Sequence, residues 1–299
     1  MTERARAYLY ASAVIVAWAT IASAFKLTLR HVGPLQMLCG ASGVSALFLL
    51  AYLIFTGRLG VLATYSRRQI AYSVALGLLN PVLYYAVLFE AYDVLPAQEA
   101  LTLNYTWPIM LVALSVPLLG QHIGSRSFIA MAVSFTGVII VATRGDVYAL
   151  DFARPVGSAL ALGSALIWGV FWIGNVRDER DEVPKLFLNF CAGFPVTLVL
   201  MLIFSGVPHA GLAGWTGVVY VGLFEMGLTF VFWLKALSCA ENTAMVSNLV
   251  YLTPFLSLVF IWIAVGESIR PSTLTGLALI VGGIVLQHQW RDGRTPASH

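Results

Sequence analysis

A single carboxylate stands in the middle of an apolar stretch of this chain. Glu225 lies within Val221-Gly-Leu-Phe-Glu-Met-Gly-Leu-Thr-Phe230, well inside an apolar run over 212–237. No other Asp or Glu sits near the centre of such a run. A carboxylate at that depth of a bilayer costs about 2.5–3.5 kcal/mol on insertion scales, so it must face the protein interior or a wet cavity. Three roles suit it: a counter-charge for a bound ammonium group, a proton acceptor, or a structural group bonded to a neighbouring helix.

Asn80 occupies the corresponding place in an earlier apolar run, because Gly77-Leu-Leu-Asn80 lines up with Gly222-Leu-Phe-Glu225. An amide both donates and accepts, whereas an ionised carboxylate only accepts. Asn80 precedes Pro81, which removes a backbone donor and kinks a helix. Carbonyls freed there can bind a ligand only where they line a cavity; a plain packing kink is the alternative.

The aromatic residues add a second chemistry. Trp215, Trp233, Trp262 and Trp290 fall near the ends of apolar runs, where an interfacial belt accounts for them. Trp18, Trp107, Trp168 and Trp172 lie deeper. Tyr84 is one helical turn beyond Asn80, and Tyr105 and Tyr251 each stand three residues ahead of a proline. Such rings suit aromatic or apolar side chains and attract an ammonium over the ring face. For any single one of them, lipid-facing or core packing is the competing explanation. Lys26 and Lys235 sit near run ends and can reach the surface along their stems. The five histidines and three cysteines form no metal-ligand or disulfide pattern, so no metal and no cofactor is expected.

The elements that must position these residues follow from composition. The 299-residue chain is 59% hydrophobic and 10% charged, with a mean hydropathy of +0.85. A soluble domain carries about 25% charged residues. The fold class is therefore all-α and polytopic, with the lipid bilayer as its surroundings and no nucleic-acid partner. Ten apolar runs, near 7–26, 34–56, 70–91, 97–119, 127–143, 155–176, 185–205, 212–237, 241–264 and 272–289, approach the ~20 residues that cross a bilayer. The basic residues set the orientation. With both termini cytoplasmic, only Lys26, Arg30, Arg144, Arg154 and Arg270 of the 17 Lys and Arg lie outside.

The chain also matches itself. Trp18 precedes Pro34 by the interval that separates Trp168 from Pro184, and the spacing of Pro108, Gly120 and Gly137 recurs in Pro254, Gly266 and Gly283. Residues 1–150 and 151–299 thus form two five-helix transmembrane repeats. Five is odd, so the second repeat starts on the opposite side of the membrane and the two are inverted. Inverted repeats place a small-molecule site near the midplane, between equivalent helices.

Each repeat ends its fourth helix on a proline, eleven residues, and Gly-Gln or Gly-Glu: Pro108…Gly120-Gln121 and Pro254…Gly266-Glu267. This pattern resembles the ten-helix EamA-type exporters of the drug/metabolite transporter superfamily over about residues 8–288. The mid-helix Trp and Tyr residues make the chain most similar to the aromatic amino acid exporters. The resemblance implies that helices one, three, four, six, eight and nine line a central cavity, with five and ten peripheral. It implies an inner-membrane carrier that exports amino acids, with efflux of amphipathic cations or other small metabolites as the alternative. The candidate site is Trp18, Asn80, Tyr84, Tyr105, Trp107, Trp168, Glu225 and Tyr251, and a monomer suffices for it. An enzyme is disfavoured: no His-Glu-x-x-His helix, no paired acids at depth and no buried histidine occur. No ATP-binding loop is present, so a gradient must drive any transport.

Overall fold

The computed structural model describes residues 2–120, 125–147, 154–240 and 249–292, which are helical with short connections and contain no strand. Among the described residues, seven helices are long and apolar enough to cross a membrane: Glu3–Thr28, Pro34–Phe55, Arg67–Val94, Ala97–Leu118, Pro155–Arg177, Glu182–Phe204 and Leu212–Ser238. Three shorter apolar helices, Phe128–Ala142, Leu249–Val265 and Pro271–Leu286, bring the number to ten. In chain order these are spans one to ten. The first part of the expected ninth span, 241–248, lies outside the described residues.

Local sequence explains where the spans begin. The Thr2 hydroxyl accepts the Ala5 N–H at the start of span one. Ser66 and Gln69 form a reciprocal capping box ahead of span three. Pro34, Pro155 and Pro271 open spans two, six and ten, where a missing N–H costs nothing. The repeated Pro-to-Gly interval also acquires a geometric meaning. Pro108 and Pro254 stand in the first turn of a helical segment, and Gly120 and Gly266 end the same segments in the left-handed conformation, at φ 65° and 80°. Only glycine takes that conformation without penalty.

The two halves of the chain interleave. Span one packs against spans eight and nine, and span six packs against spans three and four. Span two lies on spans seven and eight, while span seven lies on two and three. Spans five and ten form a pair of their own. Exchanging each span of the first half for its counterpart in the second maps these pairings onto themselves.

The five–ten pair shows what allows such close approach. A Cβ added to Gly137 would lie 2.5 Å from the Gly276 carbonyl, and one added to Gly276 would lie 2.8 Å from the Gly137 carbonyl. Without a hydrophobic drive between helices in lipid, contact of this kind supplies the packing energy. Gly282, on the same helix, faces open space. Gly276→Val should therefore lower the thermal unfolding midpoint in detergent, with an overpacking cost of about 1–3 kcal/mol, while Gly282→Ala leaves the midpoint unchanged.

Candidate functional site

Three described spans are interrupted inside the membrane. Span three breaks at Asn80, whose backbone is extended (φ −143°, ψ 113°) between the helices Arg67–Gly77 and Tyr84–Val94. Span four breaks at Tyr105 and Thr106, between Ala97–Asn104 and Trp107–Leu119. Span eight breaks at Glu225, Met226 and Gly227, between Leu212–Phe224 and Leu228–Ser238. The Pro81 kink was legible in the sequence. The interruption at Glu225 was not, because Gly227 carries no comparable signal.

The breaks in spans three and eight hold the two aligned polar residues, Asn80 and Glu225. Glu225 is half-buried, and its Oε1 accepts a hydrogen bond from the Tyr85 hydroxyl at 3.1 Å. Asn80 is only 1% exposed, and neither atom of its side-chain amide has a partner among the described residues. An unsatisfied buried amide costs about 1–3 kcal/mol. A ligand with both a donor and an acceptor could recover that cost.

Aromatic rings connect Glu225 to the other half of the molecule. Trp168 stacks on Tyr84 (centroids 4.5 Å apart, 29° between planes), Tyr84 meets Tyr85 edge-on at 4.6 Å, and Tyr85 carries the bond to Glu225. Trp168 also contacts Phe171 and Trp172. The counterpart of this wall is built differently. Trp18 packs on Phe230 at 6.4 Å and on Trp233 at 5.7 Å, both beyond the break in span eight. Each of the paired tryptophans thus lies against the broken span of the opposite half.

Of the expected site residues, Trp168, Tyr84 and Glu225 are joined by direct contacts through Tyr85, and Asn80 lies just ahead of them on span three. Tyr105 is committed elsewhere, since its hydroxyl donates to the Val250 carbonyl of span nine at 2.7 Å. That bond brings spans four and nine together next to Tyr251. Trp107 is half-buried at the start of the second segment of span four.

Two expectations need correction. Trp233, assigned to the interfacial belt, is the ring partner of Trp18; Trp262, at 61% exposure, fits the belt. The Trp290 side chain lies outside the described part. Lys26 does not reach for the surface: its ammonium donates to the carbonyls of Tyr92, Asp93 and Leu95, at the open end of span three. Tyr85, Phe230 and Trp233 are the residues that sequence reasoning missed. Tyr84 was singled out by counting one turn from Asn80, but the break at Asn80–Pro81 resets the helical phase and brings Tyr85 to Glu225.

At one end of the bundle the loop between spans six and seven is anchored by ions. Arg180 bonds both oxygens of Asp178 at 2.8 and 2.6 Å and reaches the Ser73 hydroxyl at 2.8 Å. Burial opposes the Asp178 charge, but the Arg180 bonds outweigh it and hold the carboxyl below the usual carboxylate range. The buried Lys185 ammonium donates to the carbonyls of Asn175 and Asp178 and to Glu182.

Comparison with known proteins gives this arrangement a family. The model of the EamA-like transporter family matches residues 5–143 and again 155–287. The chain belongs to the EamA-like transporter family. It is a multi-pass membrane protein of a transporter family. It is 28% identical over 207 residues to a probable terminal-alkyne amino-acid exporter of Streptantibioticus cattleyicolor, a match covering 67% of this chain and 66% of that one, just under two thirds. It is 25% identical over 298 residues to the aromatic amino acid exporter YddG of Ancylobacter novellus, covering 94% of this chain and 96% of that one. An uncharacterized transporter of Bacillus subtilis, YyaM, is 21% identical over 87% of this chain and 86% of its own. One crystal structure superposes with a TM-score of 0.67 at 22% identity, covering 98% of this chain and all of that one, which establishes a shared fold.

The bond between Tyr85 and Glu225 can be measured as a coupling. Tyr85→Phe and Glu225→Gln, alone and together, should give a double-mutant cycle in thermal stability with an interaction energy of about 1.5–3 kcal/mol. Strict additivity would show that the two groups do not depend on one another.

Proposed function

We propose that the protein is a secondary carrier of the cell inner membrane that exports amino acids, aromatic ones among others, by alternating access around the Asn80–Glu225 region. The observation that carries this reading is that Glu225, linked through Tyr85 to the Trp168–Tyr84 stack, and the partnerless buried amide of Asn80 stand at the breaks of two spans aligned in sequence. A carboxylate suits the ammonium of a zwitterion, an amide suits its carboxylate, and the rings suit its side chain. Discontinuous helices are a recurrent way of building such a midplane site. The amino-acid exporters among the relatives support the same cargo class. In this reading the five-helix units 1–150 and 151–299 are inverted repeats, and both termini are cytoplasmic. Trp18, Trp107, Tyr251 and the ring of Tyr105, whose hydroxyl is held by Val250, complete the walls of the site, and no nucleic acid takes part.

The test is transport in liposomes. Glu225→Gln should fold normally and bind labelled phenylalanine or tryptophan about tenfold to a hundredfold more weakly, the cost of one charge-assisted hydrogen bond. If Glu225 carries a coupling proton, the same variant keeps cargo-for-cargo exchange and loses only its response to a pH gradient. Unchanged affinity and unchanged pH response with lowered stability would make Glu225 structural. Uptake of amphipathic cations but not of amino acids would replace the cargo class.

The aromatic wall has its own control. Trp168→Ala should reduce amino-acid flux at least tenfold at equal folded yield, whereas Trp262→Ala, on an exposed belt position, should leave it unchanged. Equal flux from the two variants would remove support for an aromatic site.

A further inference from the structure

Polar side chains bind the two sets of spans together at the end of the molecule that the basic-residue bias assigns to the outside. Glu99, in the first turn of span four, has a side chain 5% exposed. It receives Arg144 through Nε at 2.8 Å and Nη2 at 3.3 Å, from just beyond span five. It also receives Arg270 Nη1 at 2.8 Å, from the turn ahead of span ten. The neighbouring Gln98 amide donates to the Ser268 carbonyl at 2.9 Å and to Glu267 at 3.4 Å, and it accepts the Arg270 N–H at 3.0 Å. Glu267 in turn accepts the Ala97 and Gln98 N–H groups at 2.8 and 3.2 Å, closing the start of span four. Lys26 completes the seam, joining the end of span one to the carbonyls at the end of span three.

The repeat-equivalent positions do not carry these charges. Aligned through Pro108 and Pro254, the repeat counterparts of Gln98, Glu99 and Arg144 are Ala244, Met245 and Trp290, and those of Glu267 and Arg270 are Gln121 and Gly124. Aligned through Trp18 and Trp168, the counterpart of Lys26 is Val176. None of these residues is charged. The duplication therefore reproduces the helices and their pairings, but not this network.

We propose that the Gln98–Glu99 network is the outer gate of the protein, an ionic latch whose charges the repeat-equivalent positions of the sequence do not carry. The latch joins spans one, five, nine and ten to spans three and four, the two groups that must separate on the outside if access alternates. Its charged ends are suited to opening. The Arg144 and Arg270 side chains remain 28% and 39% exposed while Glu99 is buried between them, so parting the groups hands each ion to water rather than to lipid. A bidentate guanidinium and a three-bond amide also fix the closed geometry, as apolar contact alone does not.

The proposal relies on the carrier reading for its purpose, and its test reads accessibility instead of flux. Ser23, on span one a turn ahead of Lys26, is buried. In the full-length protein with Cys39, Cys191 and Cys239 replaced by serine, Ser23→Cys provides a single thiol below the latch. A membrane-impermeant maleimide is applied to right-side-out and to inside-out vesicles. Glu99→Gln should raise the external labelling rate at least tenfold without raising it from inside. Gln98→Leu removes three of the bonds and no charge, and should act in the same direction even if the Glu99 variant folds poorly. Unchanged external rates in correctly folded Gln98→Leu would overturn the latch. An equal rise from both sides would overturn it too, and a rise only from inside would overturn its assignment to the outer face. Loss of all amino-acid flux from the unmutated protein, with the labelling response intact, would sink the carrier reading and leave the latch in place.

Discussion

A backbone group released inside a membrane must find its partner within the protein, because lipid offers none. The architecture around Glu225 depends on meeting that demand. Where span eight stops, the Phe224 carbonyl takes the Thr229 hydroxyl at 2.8 Å, and the Met226 carbonyl takes the Ser45 hydroxyl of span two at 2.8 Å. With these donors in place the helix can end at mid-membrane and begin again. The carboxylate then stands at the end of one helical segment instead of within a continuous cylinder. Span two is thereby tied to the break itself, which explains why a span outside the aromatic wall matters for the position of Glu225.

Interleaving spreads this constraint over the whole molecule. Since span one lies against spans eight and nine and span six against three and four, each broken helix is supported by the opposite half of the chain. Trp168 on Tyr84, and Trp18 on Phe230 and Trp233 with Tyr10 on Phe232, are ring contacts of these two crossings. The site is consequently a property of the assembled pair and could not form within either half. Spans five and ten, closed on one another through Gly137 and Gly276, stand apart from these crossings.

Against this near-symmetric frame the polar residues are unequal. The same break carries an amide in one half and a carboxylate in the other, and Glu99, Arg144, Glu267 and Arg270 have uncharged residues at the equivalent positions of the other half. A symmetric frame gives two interchangeable shapes; unequal charge gives the two positions different chemistry.

Much of this was legible in the residues alone. The ten apolar runs, the duplication and the all-helical class follow from composition and from evenly spaced Trp, Pro and Gly, because a bilayer permits few ways of satisfying a backbone. Glu225 and Asn80 could be picked out since a polar group at that depth is costly. The contacts between residues distant in sequence were not legible. Tyr85 reaches Glu225 from 140 positions away, on a helix whose phase was reset at Pro81. Trp233 looked like a belt residue because distance from a span end says nothing about which neighbour covers it. Lys26 looked free to reach water until the carbonyls at the end of span three were placed beside it. Hydropathy and spacing decide which segments cross the membrane, and they carry no information on rotation about the helix axis. That rotation is settled only when ten helices pack together and every freed carbonyl, ring and charge must be satisfied at once.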